Sequence, residues 1–170
     1  MKYGIIAVLT LFLGCSLAGK HRGHLYKSIR IFPVTVDCSL TTETLIDLGR
    51  YNSFDKEINN ETFPIDCIGT KEVLMKIVRI GKLADSEEVL RELDGMGLRP
   101  ATIHELLAFG AAYPDEQRKD SIIGLGSESQ RMTPHLFGYF GENGGWRQLL
   151  LSYELEIWPD SYWFSAVSKQ

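Results

Sequence analysis

Two capped amphipathic patterns, joined by a glycine and a proline three residues apart, constrain this chain more than any other feature. The stretch DSEEVLRELDGMGLRPATIHELLAFGAAY, from Asp85 to Tyr113, reads as two helices linked by a Gly97-Leu98-Arg99-Pro100 hinge. Asp85 and Glu88 stand three apart, as do Thr102 and Glu105. That is the spacing of a capping box, in which side-chain oxygens take up the amides that a helix start leaves without partners. Val89, Leu90, Leu93 and Met96 form one apolar stripe, and Ile103, Leu106, Leu107 and Ala111 form a second. Gly95 and Gly97 suit the end of the first helix, and Pro100 stops propagation and biases Arg99 towards an extended conformation. Pro114 closes the element. Arg99 is expected to pair with a nearby carboxylate and His104 to face solvent.

Around this centre the pattern changes period. Residues 28–37, SIRIFPVTVD, alternate as a strand, with Ile29, Ile31, Pro33 and Thr35 on one face and Arg30, Phe32, Val34 and Val36 on the other. Pro33 cannot donate to a ladder, so the strand lies at an edge or carries a bulge. Residues 41–48 predict a short helix with Leu45, Ile46 and Leu48 inward and Gly49 as its stop. Residues 51–63 read as a polar loop, and residues 72–80, EVLMKIVRI, as a central strand that is apolar nearly all round. Residues 114–120, PDEQRKD, predict a solvated turn, and residues 121–127 a strand. Asn143-Gly144-Gly145 signals a hairpin between LFGYF and WRQLLLSYELEIW, and Pro159-Asp160-Ser161 another turn. The carboxy-terminal part therefore predicts an antiparallel meander of about three strands.

The segment GLRPATIHELLAFGA (Gly97 to Ala111) resembles the signature of C-type-lectin-like domains, a glycine followed by Arg-Leu-Pro-Thr, two residues and Glu, in which a turn leads from a first helix into a second, especially in the bacterial branch related to formylglycine-generating enzymes. The resemblance implies a short strand at residues 122–126 and a closing strand at residues 162–167. The motif is shifted, since the order here is Arg99-Pro100-Ala101-Thr102, and the lectin-type cysteines and calcium loop are missing. The phrases FPVTVDCSL, LGRYNSFDKEINNETFP, LRPATIHELLAFGAAYP and IIGLGS also resemble an uncharacterised family of small bacterial proteins, which implies no activity. Formylglycine-generating chemistry needs reactive cysteines near the carboxyl end, and this chain has none after Cys67.

Composition narrows the function classes. A chain of 170 residues with 44% apolar content can bury a real core, and a net charge of −4 lacks the basic footprint of a nucleic-acid protein. The first residues carry Lys2 and then an apolar run that is shorter than the ~20 residues of a membrane span. This fits a secretory signal. Either Ser16-Leu17-Ala18 supplies a cleavage site, or Phe12-Leu13-Gly14-Cys15 acts as a lipobox with Cys15 lipidated. The alternative is a buried first strand of a cytosolic protein. Residues 1–18 thus read as a signal peptide or lipoprotein signal, 19–27 as a polar tether, and 28–170 as one α+β domain. His21 and His24 in the tether are not a convincing metal pair. With Cys15 removed or lipidated, Cys38 and Cys67 are the remaining thiols. They either form a disulfide, in an oxidising compartment, or stay as two small buried hydrophobes.

No phosphate loop, nucleophile elbow, redox motif or zinc spacing occurs in the sequence. One alternating cluster stands out: Glu154, Glu156, Trp158 and Asp160 would project from one face of a strand and its turn, with Trp146 widening the platform. Carboxylates beside an exposed tryptophan suit a glycan, or a calcium ion that helps to hold one. The bland reading of the same cluster is a solvated sheet face with Trp158 at the core edge. The sequence as a whole therefore predicts a single α+β domain with a central helix pair and a carboxy-terminal meander, C-type-lectin-like in outline. Its expected role is that of an exported, non-catalytic binding or structural module with no resident cofactor and no nucleic-acid partner. Its contact with a membrane would run through the amino-terminal lipid or signal alone. The alternatives are a small hydrolase using the carboxy-terminal carboxylates, and a cytosolic protein-interaction domain.

Overall fold

A computed structural model describes residues 28–127, 136–143, 146–153 and 157–169. The signal and tether segments, with Cys15, His21 and His24, lie outside the described residues. The fold is mixed α and β, built on one large sheet with helices on both faces. Strand β1 (Ser28–Asp37) pairs antiparallel with β3 (Thr70–Arg79). The sheet continues through β10 (Trp163–Ser168), β6 (Ile122–Gly124), β7 (Leu136–Asn143) and β8 (Trp146–Tyr153) to β2 (Ser53–Phe54). Strand β5 (Leu98–Pro100) adds to β10. A separate two-stranded ladder joins β4 (Ala84–Asp85) to β9 (Ile157–Trp158).

Period-two alternation in the strands separates two cores. Ile77 belongs to one apolar cluster and Val78 to the other; Ile122 and Ile123 divide in the same way. Helices α1 (Thr42–Gly49) and α3 (Ile103–Ala112) cover the first face. Helix α2 (Ser86–Gly95) and the β4–β9 ladder cover the second.

The expected edge position of β1 holds. The Tyr113 hydroxyl donates to the Pro33 carbonyl at 2.7 Å. In an antiparallel strand the N–H and C=O of one residue point the same way, so the N–H that proline lacks would also have pointed away from β3. The inward face is the one carrying Val34 and Val36, while Ile29 and Ile31 are exposed.

Four expectations are corrected. The antiparallel meander of three strands is β6–β7–β8, so it starts before the carboxy-terminal segment in which it was expected and does not include the last strand. The β7–β8 hairpin is present, with Asn143 opposite Trp146, but β9 leaves the sheet to meet β4 and β10 returns between β3 and β6. Residues of the PDEQRKD segment form a short helix, α4 (Pro114–Gln117), whose Gln117 is buried. Leu48 is exposed, because the buried face of α1 carries Thr42, Leu45, Ile46 and Gly49 and Leu48 falls outside that stripe. Helix α1 ends not on a glycine turn but on Arg50, which takes the left-handed conformation at φ 50°. Gly49 is needed for a different reason, since a Cβ there would lie 2.2 Å from the Tyr51 ring.

Candidate functional site

Trp158 does not join the expected aromatic platform. Trp158 is 2% exposed, and its indole N–H donates to the Ser86 hydroxyl at 3.0 Å. It packs in the second core because β9 turns off the sheet and lays the ring beneath α2. Trp146 is 61% exposed at the start of β8, and Asp160 is exposed in the turn after β9. Glu154 and Glu156 lie outside the described residues. A buried tryptophan offers no stacking face, so the platform loses its central member.

The structure instead brings three segments together beside the amino terminus of α3. The first is the loop entering β3. Cys38 and Cys67 are disulfide-bonded, with Cα atoms 5.5 Å apart, and the Cys38 N–H donates to the Gly69 carbonyl at 2.9 Å. The second is the hinge from β5 into α3, extended as Pro100 requires. The third is the stretch after β6, where the Gly126 N–H donates to the Ala101 carbonyl at 3.0 Å and the Ile103 N–H to the Ser127 hydroxyl at 3.0 Å. A Cβ on Gly126 would lie 2.5 Å from the Ala101 oxygen and 2.7 Å from that of Pro100, so only glycine permits this approach.

A cleft of two lobes lies between these segments. The first, of about 360 Å³, is lined by Asp66, Lys71, Arg99, Thr102, His104 and Glu105 among others. The second, of about 310 Å³, is lined by Thr62, Pro64 and Ser127, and shares Asp66, His104 and Gly126 with the first.

Arg99 and Glu105 are locked to each other. The guanidinium donates twice, at 2.9 and 2.7 Å, and Glu105 also accepts from the Thr102 N–H at 2.9 Å while Thr102 accepts from the Glu105 N–H. The second capping box is thus complete, and its acid pairs with the hinge arginine as expected. At Asp85 only half of the box forms. Asp85 accepts from the Glu88 N–H, but the Glu88 carboxylate pairs with Lys82 instead of turning back.

His104 does not face solvent as expected; it is 4% exposed. Helix α3 is buried on nearly every side, because the loop that ends in Cys67 covers the face its apolar stripe leaves open. The Thr42 hydroxyl must donate its one proton to the Phe63 carbonyl, 3.0 Å away, so its oxygen accepts from His104 Nε2, 3.1 Å away. That assigns the proton of the neutral ring to Nε2 and leaves the Nδ1 lone pair without a partner among the described residues. Burial pushes the imidazole pKa below its ordinary 6.5, against the opposing pull of Asp66 and Glu105. The ring is therefore neutral at pH 7.

This has a measurable consequence. The unfolded chain keeps the ordinary pKa and takes up the proton first as pH falls, so stability declines as pH drops through 6.5 and levels off below the folded value. His104→Gln keeps an N–H donor for Thr42 and is expected to flatten that slope, read from urea unfolding between about pH 5 and 7.5. An unchanged slope in the variant would contradict the neutral buried ring.

Ser127, His104 and Asp66, the residue types of an acyl-transfer triad, all line the second lobe. Their geometry is not that of a triad. His104 spends its proton on Thr42, and the Ser127 oxygen holds the first amide of α3, with no hydrogen bond between serine and imidazole. What the cleft offers is a set of donors and acceptors around a neutral imidazole. Sequence reasoning gave Asp66, Lys71 and Ser127 no role, since they are scattered along the chain and Ser127 lacks a histidine–carboxylate pair near it in sequence; the aspartate next to Cys67 was the one available signal. No protein-family model, curated protein or solved structure matches this chain.

Proposed function

We infer that this chain is an exported, non-catalytic binding module of C-type-lectin-like outline, and that its ligand seats in the His104 cleft. The observation that carries this reading is the buried, neutral His104, which lines the cleft together with Asp66 and Lys71, neither of which has a hydrogen bond or ion pair among the described residues. The missing serine–histidine contact favours binding over hydrolysis. Export is supported by the Cys38–Cys67 disulfide, which fits an oxidising, extracytoplasmic setting. No helix among the described residues is long and apolar enough to cross a membrane. Attachment in this reading comes from the amino-terminal segment, by lipid at Cys15 or by the signal itself. A glycan is one ligand class that such a polar cleft suits.

The test is amide chemical-shift mapping of the disulfide-bonded protein with panels of saccharides and small polar metabolites. Shifts confined to residues 64–71, 99–105 and 125–127 are expected. Panels that leave all three segments unmoved would overturn the reading. An intact mass from the native host, beginning at Cys15 with lipid or after Ala18, supports export; a full-length mass with free thiols contradicts it.

A further inference from the structure

We propose that the His104 cleft binds a small zwitterion of the free amino acid class, its ammonium held by Asp66 and His104 and its carboxylate by Lys71 and Arg99. The proposal rests on the reading of the cleft as a ligand site and adds the class of ligand.

The charges that line the cleft cancel, but they are not all committed. Arg99 and Glu105 close on each other through two parallel bonds, and Nη1 also donates to the Pro100 carbonyl at 3.2 Å, which leaves one Nη2 N–H and the Nε N–H without a hydrogen bond among the described residues. Asp66 and Lys71 are both exposed, both line the first lobe, and neither has a hydrogen bond or ion pair among the described residues. Asp66 acts electrostatically on both Arg99 and His104, which places its carboxylate over the junction of the two lobes. His104 lines both lobes as well. The first lobe therefore presents a carboxylate and a neutral imidazole together with the Lys71 ammonium and the Arg99 guanidinium.

An ammonium group has only donors, and a carboxylate has only acceptors. A molecule carrying both, a few ångströms apart, meets each charge with its opposite and leaves the cleft as neutral as before. A simple anion would meet Lys71 but bring its charge towards Asp66, and a simple cation would do the reverse. A neutral sugar could fill the hydrogen bonds but would leave both free charges unmatched, and charge-assisted hydrogen bonds are the stronger kind. The second lobe, with the Ser127 and Thr62 hydroxyls at its wall, would take the side chain.

The experiment titrates the labelled, disulfide-bonded protein with the common L-amino acids and with glucose. It then uses the best-binding amino acid as its methyl ester and as its N-acetyl derivative. At least one amino acid is expected to shift the amides of Asp66, Lys71 and His104. Either capped form should bind about tenfold more weakly or worse, because each removes one charge-assisted contact. Asp66→Asn and Lys71→Met should each weaken binding by about tenfold or more while leaving the urea midpoint unchanged, since both side chains are exposed. If no amino acid moves these amides, or if the capped forms bind as well, the zwitterion assignment is wrong. If glucose binds there and amino acids do not, the cleft remains a binding site with another ligand. If neither binds, and no saccharide or metabolite does, both readings fall.

Discussion

Arg147→Met is expected to destabilise the fold by about 3–5 kcal/mol, the largest effect of any single replacement considered. Arg147 is 3% exposed and makes no hydrogen bond to a carboxylate among the described residues. Its guanidinium donates to the Gly49 carbonyl, to the Gly110 carbonyl at 2.7 Å and to Gln117 Oε1 at 3.1 Å, and it stacks 4.8 Å over the Tyr51 ring. Gly49 ends α1, and Gly110 lies in the last turn of α3. The cation thus sits where two helices direct unsatisfied carbonyls and the negative ends of their dipoles. Methionine fills most of the volume but leaves three acceptors buried without donors. Arg147→Lys should recover only part of the loss, because one ammonium cannot reproduce the planar fork. Urea unfolding decides the matter, and a loss below about 1 kcal/mol for Arg147→Met would contradict this role.

The second large effect is expected at the disulfide. Cys38 and Cys67 are 29 residues apart, and closing a loop of that length restricts the unfolded chain enough to stabilise the fold by about 3–4 kcal/mol. Joint replacement, Cys38→Ser with Cys67→Ser, should lower the unfolding free energy by roughly 2–4 kcal/mol, and reduction of the parent protein should do the same. The loss has a local component. Phe63 is fixed by its burial and by the Thr42 bond, and Cys67 by the disulfide; Asp66 lies on the short span between them. Amide shifts on reduction should therefore concentrate in residues 64–69 and around His104, and a uniform response across the sheet would contradict that placement.

These two effects bear on one object. Thr42 and His104 meet at the amino ends of α1 and α3, while Gly49 and Gly110 meet through Arg147 near the carboxyl ends. The two helices are held at both ends, and the cleft lies at the end that Arg147 does not touch.

Much of the local structure was legible from local chemistry. The strand period of residues 28–37, the proline edge, the caps at Asp85 and Thr102 and the hinge at Pro100 depend on neighbours in sequence, and they appear where expected. The return of β10 between β3 and β6 was not legible, because no residue within the strand encodes which partners it meets. Trp158 was misplaced for the same reason: an alternating pattern fixes which residues share a face, not which face is covered. His104 was read as exposed because a helical stripe describes one buried side, and α3 is enclosed by a loop tied down from Cys67. Arg147 gave no sequence signal at all. An arginine at the start of a strand after Asn-Gly-Gly looks like an ordinary surface residue until the ends of two helices converge on it.

The cleft assignment turns on the state of one ring, so the most direct measurement is a long-range nitrogen–proton correlation of the histidine side chains at pH 7, with His104→Gln assigning the signal. The expected result is a neutral imidazole protonated at Nε2, with an unprotonated Nδ1 whose resonance moves when a cleft ligand is added. A ring protonated at Nδ1, or doubly protonated at that pH, would contradict it.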